Sequence, residues 1–164
     1  MTKRPDYQQQ FIDIIETHNS LINKVCFLYA VDDDHFKDLY QEVVINLWQG
    51  LKHFQGRSKI STWIYRTSIN TCISCHRRTA RHSKGRHSLD SIINLPADDV
   101  DTPSQLREMY NMIAALNDVD KSLILMWLDE LSYEEISAIS GLSRNNVASR
   151  LRRIKLKLVR RANS

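Results

Sequence analysis

Ser132-Tyr133-Glu134-Glu135-Ile136-Ser137-Ala138-Ile139-Ser140-Gly141-Leu142-Ser143-Arg144-Asn145-Asn146-Val147-Ala148-Ser149-Arg150-Leu151 decides the fold, because it writes out two helices and the turn between them. Ser132 and Glu135 stand at capping-box spacing: the Ser132 hydroxyl can accept from the Glu135 amide, and the Glu135 carboxylate can reach back to the Ser132 amide. Ile136 and Ile139 give the first helix its buried side, and Gly141 falls where a left-handed residue ends a helix. Leu142 is expected to turn inward and Ser143 to cap the second helix. There Val147, Leu151, Ile154 and Leu158 make an apolar row at helical spacing. This is the outline of a helix-turn-helix, so duplex DNA is the first partner to consider.

The outward face of the second helix carries the chemistry for that partner. Arg makes bidentate bonds to guanine and Asn to adenine, and the first turns of such a helix are the ones that reach base edges in the major groove. Arg144, Asn145, Asn146, Ser149 and Arg150 are the base-reading candidates, with Arg152 and Arg153 on the same outward face. Lys155, Lys157, Arg160 and Arg161 are suited to phosphates, which add affinity without reading sequence. A basic amphipathic helix with a solvated face is the plainer alternative; the capped partner helix and the Gly-Leu-Ser turn weigh against it.

The charge is segmented along the chain. Of 23 Lys and Arg, eight lie between Arg57 and Arg86 and eight between Arg144 and Arg161, and neither stretch contains Asp or Glu. Acids gather at Asp32-Asp33-Asp34, between Asp90 and Asp101, and between Asp118 and Glu135. Separate cationic patches of this kind suit a protein that grips a polyanion at more than one place. With three Pro and four Gly in 164 residues there is little material for tight turns, and an all-helical fold is expected. No stretch approaches the roughly 20 apolar residues that span a bilayer, and the N-terminal residues lack the apolar run of a signal peptide. Cytoplasmic residence without membrane insertion is expected, and with it reduced thiols at Cys26, Cys72 and Cys75.

Upstream, Phe11, Ile14, Ile15, His18, Ile22, Val25, Cys26 and Tyr29 predict one helix ending before the aspartate cluster. Phe36, Leu39, Tyr40, Val43, Val44, Leu47, Trp48, Leu51 and Phe54 predict a second. Gln55-Gly56-Arg57-Ser58 interrupts the pattern, and a third helix follows with Ile60, Trp63, Ile64, Thr67, Thr71, Cys72 and Cys75 on one face and Tyr65, Ile69 and Ile73 beside it. Leu106, Met109, Tyr110, Ile113 and Leu116 mark a fourth helix, and Leu123 to Leu128 a fifth. From His82 to Pro103, ahead of the fourth helix, the periodicity fails, polar residues dominate, and Pro96 and Pro103 bracket an acidic stretch. The expected organisation is all-α, with two small helical domains, residues 1–82 and 104–164, joined by a flexible acidic linker at 83–103.

The third helix has a cationic stripe unlike that of the C-terminal motif. At 100° per residue Lys59, Arg66, Asn70, Arg77 and Arg81 fall within about 60° of one another. Phe54, Ser58, Ser61, Thr62, Trp63 and Tyr65 surround its start. Bases lifted from a duplex stack on aromatic faces while Arg, Ser and Asn satisfy phosphates and base edges, so this surface favours single-stranded or melting DNA. Periodicity alone favours Trp63 as a core residue, and a place at the domain edge would serve both purposes. On the second helix, Asp38, Gln41, Glu42 and Ile45 share a face that is acidic and polar around one apolar residue. It cannot attract DNA; it is either solvated or meets a protein.

Asp38-Leu39-Tyr40-Gln41-Glu42, Phe54-Gln55-Gly56-Arg57, Ser61-Thr62-Trp63-Ile64-Tyr65-Arg66 and Asn70, with the downstream helix-turn-helix, resemble bacterial sigma factors of the extracytoplasmic function (ECF) group of the sigma-70 family. The resemblance implies a non-enzymatic subunit that joins core RNA polymerase and recognises and opens promoter DNA. It implies that Asp38, Gln41, Glu42 and Ile45 dock on the β′ clamp, with the β subunit as a further contact. Phe54, Gly56, Arg57 and Ser58 would capture a flipped minus-10 base, Ser61, Thr62, Trp63, Arg66 and Asn70 would form the adjacent melting surface, and Arg77 and Arg78 would hold backbone. Arg144, Asn145, Asn146, Ser149, Arg150 and Arg153 would read the minus-35 element, and the acidic linker would thread through polymerase. An anti-sigma factor is a further partner of such proteins. Ile60 and Asn145-Asn146 depart from residues frequent in the family, so promoter sequence does not carry over.

Cys72-Ile73-Ser74-Cys75-His76 fits the spacing of c-type haem attachment, and with His82 it can be drawn as a zinc set. The cysteines also continue an apolar helix face, the reading preferred here, and no cofactor or metal is expected. The rival to a sigma factor is a homodimeric helix-turn-helix regulator of duplex operators, which accounts for the C-terminal half and leaves the upstream aromatic, basic helix idle.

Overall fold

The structure is a computed structural model describing residues 6–82 and 104–164, and every regular element among them is a helix. In chain order these are α1 (Tyr7–Thr17), α2 (Asn19–Tyr29), α3 (Asp33–Leu51), α4 (Ile60–His82), α5 (Ser104–Ala114), α6 (Asp118–Leu128), α7 (Tyr133–Ser140) and α8 (Arg144–Ala162). The linker expected at 83–103 lies outside the described residues.

The first predicted helix is two. The chain breaks at His18, whose φ and ψ of −108° and 16° leave the helical basin. Thr17 donates its hydroxyl to the Asp13 carbonyl (2.7 Å), and the His18 Nδ1 lies 2.9 Å from the Ile14 carbonyl oxygen. Side chains competing for last-turn carbonyls end a helix without glycine or proline, which apolar spacing alone does not reveal.

Elsewhere the ends follow their caps. Asp32 accepts from the His35 amide (2.7 Å), and Asp33 and Asp34 place negative charge at the positive end of α3. Asn117 does the same for α6 through the Asp120 amide (2.9 Å). Ile22, Val25, Cys26, Leu28 and Tyr29 of α2 bury against Leu39, Val43 and Leu47 of α3 and Ile64, Ile69 and Cys72 of α4. In the second half Ile113, Leu123, Met126, Ile136, Val147, Leu151 and Ile154 close the core under α8. Helices α4 and α7 pack together, as do α2 and α6, so one buried cluster runs through both halves.

Candidate nucleic-acid interface

The helix-turn-helix is built by short-range bonds. The Ser132 hydroxyl oxygen accepts from the Glu135 amide (3.1 Å). The return bond goes from that hydroxyl to Glu135 Oε1 (3.2 Å), where the sequence suggested the Ser132 amide as donor. Gly141 takes φ of 76°, in the left-handed region, and its N–H returns to the Ser137 carbonyl. Ser137 donates to the Leu142 carbonyl (2.6 Å), fixing the turn, and Ser143 accepts from the Asn146 amide (3.2 Å) to start α8.

On α8, Val147, Leu151 and Ile154 are buried, and Arg144, Asn145, Asn146, Ser149, Arg152 and Arg153 are exposed. Two of the arginines have acidic neighbours. Arg144 Nε pairs with Glu134 Oε1 at 2.6 Å; the backbone N–H of Glu134 and then Arg144 hold that carboxyl below its ordinary range. Arg150 leans back toward Asp120 at the start of α6, 3.8 Å away. Lys155, read from sequence as a phosphate ligand, sits 4.6 Å above the centre of the Trp127 ring.

The upstream surface is assembled by tertiary contacts. α4 buries Ile64, Tyr65, Ser68, Ile69, Thr71 and Cys72, and exposes Arg66, Asn70, Arg77 and Arg78; nothing is described of the Arg81 side chain. Arg78 Nη2 lies 3.1 Å from the Cys75 sulfur. Trp63 is half-buried, with its ring 5.2 Å from that of Phe54 at 37°. This pair borders the exposed loop Gly56-Arg57-Ser58, whose bend rests on the positive φ of Gly56 (70°). Ser61 and Thr62 line a cavity of about 420 Å³ that runs to Asp129, Leu131 and Glu135 of the other half.

Tyr65 lies with the apolar face of its helix and not among the residues around the loop. It belongs to the buried set and donates its hydroxyl to Asp129, so it ties α4 to the end of α6 and presents no aromatic face to a base. Its place beside the apolar face with Ile69 is in the sequence pattern; the Asp129 partner is not. Asp129 also accepts from Lys24 Nζ (2.8 Å), while Asp118 bonds His76 through its carboxylate (3.0 Å) and Tyr29 through its carbonyl (2.6 Å). These two aspartates, absent from the sequence-level candidates, join the halves.

On α3, Asp38, Gln41, Glu42 and Ile45 are all exposed, on the side away from Leu39, Val43 and Leu47. Ile45 is 49% exposed although it is a large aliphatic side chain. Cys26 and Cys72 are fully buried with their sulfurs 4.0 Å apart, and the hydrogen bond to Cys26 followed by burial pushes the Cys72 thiol far above the ordinary range. Among the described residues no group of three or more His, Cys, Asp and Glu could hold a metal ion, and no helix is long and apolar enough to cross a membrane.

A capped helix-turn-helix behind a second cationic, aromatic helical surface defines a two-part nucleic-acid-binding protein. Its two parts match sigma-70 region 2 over residues 14–82 and sigma-70 region 4 over residues 106–158. The chain is 32% identical over 128 residues to the RNA polymerase sigma factor YlaC of Bacillus subtilis, covering 74% of each protein. It is 25% identical over 159 residues to the ECF RNA polymerase sigma factor SigW of Bacillus subtilis, with 89% of this chain and 85% of that protein covered. Among solved structures, the sigma factor RpoE of Bartonella quintana in complex with the anti-sigma factor NepR superposes with a TM-score of 0.67 at 20% identity, over 94% of this chain and 95% of that one. CnrH in complex with the cytosolic domain of CnrY superposes with 0.69 at 19% identity, over 95% and 89%. The chain belongs to the sigma-70 family, in its ECF group, and is an RNA polymerase sigma factor.

Proposed function

We propose that the three surfaces divide the work of initiation. Asp38, Gln41, Glu42 and Ile45 dock on the β′ clamp of core polymerase, with a further contact to the β subunit. The observation that carries this reading is Ile45, half-exposed on the same face of α3 as Asp38, Gln41 and Glu42 and turned away from the buried Leu39, Val43 and Leu47. An apolar anchor within a polar rim is the usual make-up of an interface core.

Phe54, Gly56, Arg57 and Ser58 accept a base flipped from the minus-10 element. Trp63 stacks beside them, and Ser61, Thr62, Arg66 and Asn70 hold the opened strand, with Arg77 and Arg78 on backbone upstream. Arg144, Asn145, Asn146, Ser149, Arg150 and Arg153 read the minus-35 duplex. Residues 1–82 and 104–164 act as separate domains on the promoter, joined by 83–103. The protein works in the cytoplasm, performs no catalysis of its own, and has an anti-sigma factor as its regulatory partner class.

Mixing the full chain with core polymerase and mapping transcript starts tests this. Specific initiation with a shared pair of upstream elements is the expected result. Tight binding to duplex operators as a dimer, with no polymerase association, would overturn it.

A further inference from the structure

Gly50 is the one described glycine that a side chain would bring into close contact. A Cβ built there would stand 3.0 Å from Trp63 Cζ2 and 3.9 Å from Cε2 and Cη2, whereas at Gly56 and Gly141 it would meet nothing within 4 Å. Those two have positive φ and need glycine for conformation; Gly50 has none and lies inside α3, one residue before its end. Glycine at such a position weakens a helix by roughly 1 kcal/mol against alanine. What it provides here is room.

The Trp63 indole lies edge-down on the bare backbone of α3, and Phe54 leans on the same ring. The segment bearing Phe54 also hangs from this helix end, with the His53 N–H on the Gly50 carbonyl (3.0 Å) and the Phe54 N–H on the Leu51 carbonyl (3.2 Å). An added methyl at 3.0 Å is tighter than ordinary van der Waals contact, so the ring must give by a few tenths of an ångström, and a planar, half-buried indole gives by tilting or lifting as a body. Since Phe54 touches that ring, the pair moves together, and with it the aromatic wall beside Gly56-Arg57-Ser58.

We infer that Gly50 is a positioning residue for promoter opening: by leaving space under Trp63 it sets the depth and tilt of the Phe54–Trp63 wall on which a displaced base stacks. This rests on the proposed melting role of that wall. Stacking depends on ring height and tilt, so a displacement too small to unfold the domain is enough to weaken it.

The test uses the full chain. In ¹⁵N-labelled protein the Trp63 indole resonance is identified by its disappearance in Trp63→Phe. Gly50→Ala should shift that resonance and leave those of Trp48 and Trp127 in place. With core polymerase, Gly50→Ala should slow promoter opening, read by permanganate reactivity of unpaired thymines, by about tenfold or more. Polymerase affinity and binding to minus-35 duplex should stay as in the parent. The smaller ring of Trp63→Phe makes room for the methyl, so the double variant Gly50→Ala/Trp63→Phe should open promoters no worse than Trp63→Phe alone.

An unmoved Trp63 resonance would overturn the seat, and a moved resonance with parental opening would overturn its role. A parallel loss of opening, polymerase affinity and minus-35 binding would reduce Gly50 to a folding residue and overturn the inference. Failure of the parent protein to open any promoter strikes the proposed function, and the resonance shift then decides the seat by itself.

Discussion

The helix-turn-helix of α7 and α8 and the aromatic surface of α3 and α4 are both cationic and both helical, yet they are held in opposite ways. The first is fixed by bonds spanning two to five residues: Ser132 to Glu135, Ser140 to Leu142, Ser137 to Leu142, Ser143 to Asn146. The second depends on residues distant in sequence, with Trp63 on Gly50, Phe54 on Trp63 and Asn46 bonded to Thr71 (2.9 Å). Recognition of duplex edges needs one rigid helix presented at a set angle. A surface that receives a displaced base needs a wall and a floor from different helices.

The harshest challenge to this contrast is Trp63→Ala, which removes the wall. It should cost up to about 3 kcal/mol in promoter opening, through lost stacking, while closed-complex formation at the minus-35 element persists. Equal loss of both steps, measured by permanganate footprinting against gel-shift affinity, would make the two surfaces one cooperative unit. Arg150→Ala should cost about 2 kcal/mol at a preferred promoter if Arg150 leaves Asp120 to read a base; uniform weakening over many sequences would reassign it to phosphate. Ser132→Ala removes a local cap and should lower unfolding free energy by about 1 kcal/mol in a denaturant titration. Because that bond belongs to the turn alone, minus-10 opening by the folded fraction should not change.

The smallest effect expected is one of pH. Burial pulls the His35 imidazole below its ordinary 6.5; Asp32 and Asp38 oppose this and His76 adds to it. The neutral ring accepts the Val31 N–H at Nδ1 (3.1 Å). With the folded value depressed, this stability is present above pH 6.5 and is lost as pH falls through the lower folded value. In His35→Gln the drop in thermal midpoint between about pH 7 and pH 5 should be shallower than in the parent. An unchanged slope would place the acid sensitivity elsewhere.

What could be read from the chain follows the same divide between local and distant. The Ser132 and Ser143 caps, the Gly141 turn and the apolar row from Val147 to Leu158 are local statements, and the structure repeats them. Asp38, Gln41, Glu42 and Ile45 were legible as one exposed face because helical spacing is itself local. Tyr65 is legible beside the apolar face of its helix, but its bond to Asp129, 64 residues away, is not. Gly50 carried only the weak signal of a glycine inside a helical pattern, with nothing nearby to say which ring it accommodates. The break at His18 escaped because apolar spacing is blind to a hydroxyl and an imidazole competing for carbonyls.

Tyr29 and Tyr65 give the seam between the halves a gauge of its own. Burial, then the Asp118 charge, pushes the Tyr29 phenol far above its ordinary 10; burial, then the Asp129 bond, does the same for Tyr65. Both hydroxyls end on residues of the opposite half. Were the halves to part, each phenol would meet water and titrate again toward its ordinary value, so added tyrosinate absorbance near pH 10 would report separation without a label.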